Sequence, residues 1–258
     1  MSTQQIFLFD FDGVIVDGMH EYWHSSLMAC DKYLNSPYIK FDQKLYKRVP
    51  NIFKEIRPWV KYGWEMVLIV HQIIKTENQL NNFNKDDFIN EYHQNCQRIL
   101  KENSWIAQDL QKILDKSRGL QIDKDFEKWV NLHKPYFEVI NFIEELKKRG
   151  IKAGIITTKG KIFAEKILNQ LNIFPEFIFG YESGTKIKIA EELNQKYEIL
   201  GFIEDRKKTL MDIKQNSETS NINCFLADWG YLKSSDRYKL NNEIKLLKLD
   251  NLNELLAI

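Results

Sequence analysis

Residues 6–18 read IFLFDFDGVIVDG: an apolar run stops at Asp10, a second carboxylate follows at Asp12, and Gly13 comes next. A short run this apolar predicts a strand buried on both faces. Ending it in two like charges is unfavourable unless protonation or a cation relieves them. Asp10 and Asp12 stand two residues apart, so in an extended chain their side chains share one side. One carboxylate can then act as a nucleophile while the other handles a proton. Gly13 lets the chain turn sharply and brings backbone N–H groups near an anion.

Residues 134–258 repeat the pattern of that first strand. The runs IKAGIITT, EFIFG, ILGFIED and INCFLAD predict strands, and amphipathic stretches between them predict helices. The first helix is expected from Pro135 to Gly150, with Lys147, Lys148 and Arg149 in its last turn. The segment IKLLKLDNLNELLAI is expected to add a short strand and a closing helix. Strands joined by helices of this length imply right-handed crossovers and a mostly parallel sheet. The predicted fold is therefore an α/β, Rossmann-like core whose mostly parallel sheet is flanked by helices. Residues 19–133 read differently, with helical spacing, few breakers beyond Pro50 and Pro58, and four tryptophans before Trp129. They predict an inserted all-helical domain, leaving 1–18 and 134–258 as the core.

Ligands of an open α/β sheet sit beyond the carboxyl ends of its strands. There the expected strands end in Asp10-Phe11-Asp12-Gly13, Thr157-Thr158-Lys159-Gly160, Glu204-Asp205-Arg206 and Asp228-Trp229-Gly230. A set of oxygens with no His or Cys suits a hard cation, and Mg²⁺ is the usual one beside phosphate. The aromatic and basic residues Arg57, Trp59, Trp64 and His71 of the helical block fit either a pocket wall or its core, and core is the commoner outcome at helical spacing.

FLFDFDGVIVDG resembles the first signature of the haloacid dehalogenase-like hydrolase superfamily, an apolar run followed by D-x-D-G-x-x-x-D. GIITTKGK is similar to the second signature, SGTKIKIAEEL to the third and GFIEDRKKTL to the fourth. ADWGYL looks like a loop of the phosphoglycolate phosphatase-like branch. The resemblance spans residues 5–17 and 134–258; the helical block matches only in position, as an alpha-helical cap. It implies that Asp10 is a nucleophile forming an aspartyl-phosphate. Asp12 would protonate the leaving group and then activate water, with its backbone carbonyl helping to hold Mg²⁺. Thr157 would bond the transferring phosphoryl group, Thr158 and Gly13 would help bind phosphate, and Lys186 would neutralise charge. Asp10, Asp12, Asp205 and Glu204 would hold the metal, and the cap would read the leaving group. Two departures stand out. Thr209 occupies a position where the family often has an acid, and Lys188 competes with Lys186 for the lysine role.

The implied activity is Mg²⁺-dependent hydrolysis of a small phosphorylated metabolite. A phosphomutase would share every core residue named here. A dehalogenase would need neither Asp12 nor Asp205. A non-enzymatic interaction module on the same fold would be expected to have lost Asp10 or Asp12, and both are present.

The composition fits this reading. Thirty-seven basic and thirty-six acidic residues leave a net charge of +1, which gives no basic stripe for nucleic acid or an anionic membrane. Cys30, Cys96 and Cys224 are far apart and form no metal-type pair, as expected of free thiols in a reducing compartment. No basic region precedes the first apolar run, and the longest later run is about half of the ~20 residues a membrane span needs. A cytoplasmic protein is expected, and oligomeric state has no sequence signal.

Overall fold

The computed structural model describes residues 3–34, 43–78, 83–238, 240 and 242–257. Two compact units emerge, Met1–Asp17 with Lys134–Ile258, and Gly18–His133. Gly18 groups with the helices because it stands at the N-cap of their first member, Met19–Lys32.

The first unit holds a six-stranded sheet. Its strands are β1 (Gln5–Phe9), β4 (Lys152–Ile156), β5 (Phe177–Phe179), β6 (Glu198–Glu204), β7 (Cys224–Ala227) and β8 (Ile244–Leu247). The order is β5-β4-β1-β6-β7-β8, and every pairing is parallel. β1 is central and buried on both faces, which is why it reads as an unbroken apolar run rather than an alternating one. Backbone bonds carry the ladder just past the strand ends: Asp10 N–H donates to the Ile203 carbonyl and Thr157 N–H to that of Phe179, each at 2.9 Å. The site residues are thus tied to the sheet by their own main chain.

Helices Phe137–Lys148, Lys161–Gln170, Lys186–Asn194 and Lys207–Gln215 connect these strands. One face of the core packs Ile189, Ala190 and Leu193 against Ile6, Leu8 and Phe202. Gly150 ends the first of these helices in the left-handed region, at φ 75°. Its start differs from expectation. Pro135 lies in a two-residue strand β3 (Lys134–Pro135) paired antiparallel with β2 (Val16–Asp17), and Tyr136 is the N-cap. The chain leaves and re-enters this unit through that ribbon, and a proline is tolerated on a strand with a free edge. The closing segment Leu249–Ala257 is 3-10 rather than α-helical.

The second unit is helical throughout its described residues, with Met19–Lys32, Gly63–Asn78 and Ala107–Lys124 its longest helices. Its interior contains a full ion pair. The Arg118 Nε donates to Glu21 Oε1 at 2.8 Å, its Nη1 reaches Asp115 Oδ1 at 2.9 Å, and Ser25 Oγ donates to Glu21 Oε1 at 2.6 Å. The guanidinium also lies 5.0 Å from the centre of the Tyr22 ring. With so many bonds made, the pair is tolerable where a bare charge would not be. Arg57 and His71 belong to this interior, Arg57 over Tyr22 and His71 edge-on to Trp105. Trp59 and Trp64 are half-buried. No helix among the described residues is long and apolar enough to cross a membrane.

Candidate active site

The ends of β1, β4 and β6 and the start of helix Lys186–Asn194 bring a set of charged side chains together. Asp10, Asp12, Thr157, Glu204 and Asp205 are all buried. Asp10, Glu204 and Asp205 each offer a carboxylate oxygen, and these oxygens lie within 4.8 Å of one another. Lys186 Nζ stands between two of the acids, 2.8 Å from Asp10 Oδ1 and 2.6 Å from Glu204 Oε2. Thr185 caps the helix by accepting from Lys188 N–H. That cap fixes the helical register, turning Lys186 inward and leaving Lys188 exposed.

Asp12 has a different neighbour. Its Oδ1 lies 3.4 Å from the ammonium of Lys159, a side chain with no exposure. Asp12 therefore sits beside the acid trio without its carboxylate joining it. Thr157 Oγ1 accepts from Lys159 N–H at 3.1 Å, and Thr158 is half-buried beside it. Lys159 lies within the stretch GIITTKGK, whose pattern assigns it no role.

Glycines make the close approach possible. Gly13 has φ 91°, and a Cβ there would lie 2.1 Å from Asp205 Oδ2. A Cβ on Gly230 would lie 2.3 Å from Asp205 Cβ. Asp205 is thus walled by two residues that must lack side chains, and its Oδ2 accepts from Tyr231 N–H at 2.9 Å. The WGY triplet closes the site in other ways too. Trp229 Nε1 donates to the Val14 carbonyl at 3.1 Å, and Tyr231 OH donates to Asp17 Oδ1 at 2.6 Å. Asp228 turns away to Arg237, 2.6 Å from its Nε. Gly13→Ala should destabilise the protein by at least about 2 kcal/mol, combining a disfavoured φ with a clash against a buried carboxylate. Thermal unfolding checks this; a variant as stable as wild type would contradict the wall.

Burial and mutual repulsion set the charge states of the cluster. Burial, reinforced by the charge of Glu204, pushes the Asp10 carboxyl up to about 7 even with Lys186 in contact. Burial also raises Glu204, with Asp205 adding to it and Lys186 opposing. Burial works against the Lys186 ammonium, but Asp10 and Glu204 together outweigh it and hold the lysine above its ordinary value. Three buried carboxylates this close to one another, with Lys186 between two of them, form a cluster that a divalent cation would stabilise. The donor set is all oxygen, so a hard ion fits it. Glu204 is the least available ligand, since its Oε2 accepts from Lys186 and its Oε1 from Arg206 N–H at 3.0 Å.

A family model described as haloacid dehalogenase-like hydrolase matches residues 4–208. Solved structures with the same fold span the whole chain. One is titled a predicted phosphoglycolate phosphatase from Haemophilus somnus (14% identity, 99% of each chain, TM-score 0.60). Another is a predicted phosphatase from Clostridium acetobutylicum (16% identity, 100% of each chain, TM-score 0.56). A third is a haloacid dehalogenase-like family hydrolase from Streptococcus pneumoniae (19% identity, 100% of this chain and 99% of that one, TM-score 0.54). No curated protein matches the chain.

Proposed function

The chain belongs to the haloacid dehalogenase-like hydrolase family, and from that premise we propose that it is a Mg²⁺-dependent phosphomonoesterase acting on a small phosphorylated metabolite. The observation that carries this reading is the pairing of two buried acids with two different lysines, Asp10 with Lys186 and Asp12 with Lys159. Such a pairing gives each acid its own surroundings, as a nucleophile and a proton carrier require.

In the first half-reaction an Asp10 oxygen attacks phosphorus, the ester P–O bond breaks, and Asp12 gives its proton to the departing oxygen. In the second, Asp12 takes a proton from water, the water oxygen attacks phosphorus, and the bond to Asp10 breaks to release inorganic phosphate. Lys186 offsets charge on Asp10 and on the phosphoryl oxygens, and Thr157 donates its hydroxyl hydrogen to one of them. Gly13 and Thr158 border the place where the phosphoryl group would lie. The acids of the trio, with the main-chain carbonyl of Asp12, would hold Mg²⁺, which supplies counter-charge to the phosphoryl group when bound. Most of the rate enhancement would come from this positioning and charge neutralisation.

A dehalogenase has no use for Asp12 as a proton carrier. The expected result is phosphate release from part of a panel of phosphorylated metabolites with Mg²⁺ present and none with excess EDTA. Release unaffected by EDTA would remove the metal from the account. Inertness across the panel and towards aryl phosphates would remove the activity. The products also separate hydrolysis from phosphomutase chemistry, which would return an isomeric phosphate ester in place of inorganic phosphate.

A further inference from the structure

We propose that Lys159 is a positioning residue that fixes the carboxyl group of Asp12 for proton transfer to the leaving group, an inference that rests on the phosphatase reading. Lys159 is 1% exposed and its side chain reaches no solvent. An ammonium there needs an acceptor in place of water, and Asp12 Oδ1 at 3.4 Å is one.

The main chain of Lys159 is held at both of its polar groups. Its N–H donates to Thr157 Oγ1 at 3.1 Å, and its carbonyl accepts from Tyr181 N–H at 3.3 Å. A Cβ on Gly180 would fall 2.9 Å from that carbonyl oxygen, so the loop after β5 closes on Lys159 only because position 180 lacks a side chain. A long, flexible side chain is thereby anchored at its base, buried along its length and seated against a carboxylate at its tip. Lys186 is already committed to Asp10 and Glu204, so the two lysines divide the acids between them.

The consequence is chemical. A carboxyl group whose Oδ1 accepts from an ammonium carries its proton on Oδ2. Lys159 thus selects which oxygen of Asp12 serves as the acid and prevents the group from rotating away. The bond changes are those of the first half-reaction, with the proton leaving Oδ2 for the departing oxygen as the P–O bond breaks. Lys159 gains and loses nothing.

The test compares two substrates of nearly one shape. Para-nitrophenolate leaves from phosphate with little need of a proton, whereas phenolate is a much stronger base and needs one. Lys159→Met keeps the length of the side chain and removes its charge. It should lower kcat/KM, which reports the steps through leaving-group departure and not the shared hydrolysis of the aspartyl-phosphate, by about 10²-fold for phenyl phosphate, the usual worth of a general acid, and by less than about threefold for para-nitrophenyl phosphate. Lys159→Arg, which retains the charge, should recover part of the phenyl phosphate rate. Equal losses on the two substrates, or none on either, would overturn the proposal. Should Lys159→Met fail to fold, Lys159→Gln is judged by the same ratio. Wild type inert towards both substrates would bring down the phosphatase reading itself, a result distinct from an active wild type with an unchanged ratio.

Discussion

Asp10→Asn is expected to abolish turnover, with kcat falling by at least about 10⁴-fold at saturating Mg²⁺. The amide keeps the shape and the hydrogen-bonding reach of the side chain and loses only its nucleophilic charge. Stability should move the other way. Burial and Glu204 push the Asp10 carboxyl up to about 7, so the ionised side chain is a burden on the metal-free fold. The Asn variant keeps Lys186 against Glu204 and removes one buried acid. Its Tm without metal should equal or exceed that of wild type. An inactive, well-folded variant assigns the loss to chemistry. Residual turnover within tenfold of wild type would show that another group carries the attack.

Lys186→Met should damage both activity and fold. The methionine fills the same channel, but Asp10 Oδ1 and Glu204 Oε2 then face one another across a buried site with the ammonium between them gone. Removing one partner from a buried ion pair costs about 3–5 kcal/mol, and the lower end applies because the remaining acids can take up a proton. Denaturant unfolding should show a loss of about 3 kcal/mol, and kcat should fall by about 10³-fold from lost charge stabilisation. Lys188→Met is the internal control. That residue is exposed one half-turn away, and its loss should change stability by no more than about 0.5 kcal/mol. Equal effects at 186 and 188 would contradict the assignment.

The double carboxylate of the first strand made the rim of the sheet legible in the sequence. β1, β4, β6 and β7 are buried on both faces, so each appears as an apolar run whose end can be read directly. Asp10, Asp12, Thr157, Glu204 and Asp205 stand at three of those ends, and their convergence follows from parallel pairing. In the sequence Lys186 is preferred to Lys188 only for its place beside the Gly184 turn; what separates the two is helix phase, which the Thr185 cap sets in three dimensions. Lys159 went unassigned for a similar reason. A buried lysine and a surface lysine are the same letter, and the burial comes from a loop twenty residues later closing through Gly180. The bond from Tyr231 to Asp17 joins residues 214 apart and leaves no local trace. Pro135 looked like a helix start because a proline before an amphipathic run usually is one; here the returning strand takes it.

The central claim is that Asp10 carries the phosphoryl group between substrate and water. Mixing wild-type protein with Mg²⁺ and para-nitrophenyl phosphate, quenching in acid within milliseconds and weighing the intact chain tests it directly. The account predicts a species heavier by one phosphoryl group, located by fragmentation on Asp10 and absent from Asp10→Asn. Turnover of the same substrate with no such species at any quench time, or with the group found on another residue, would contradict it.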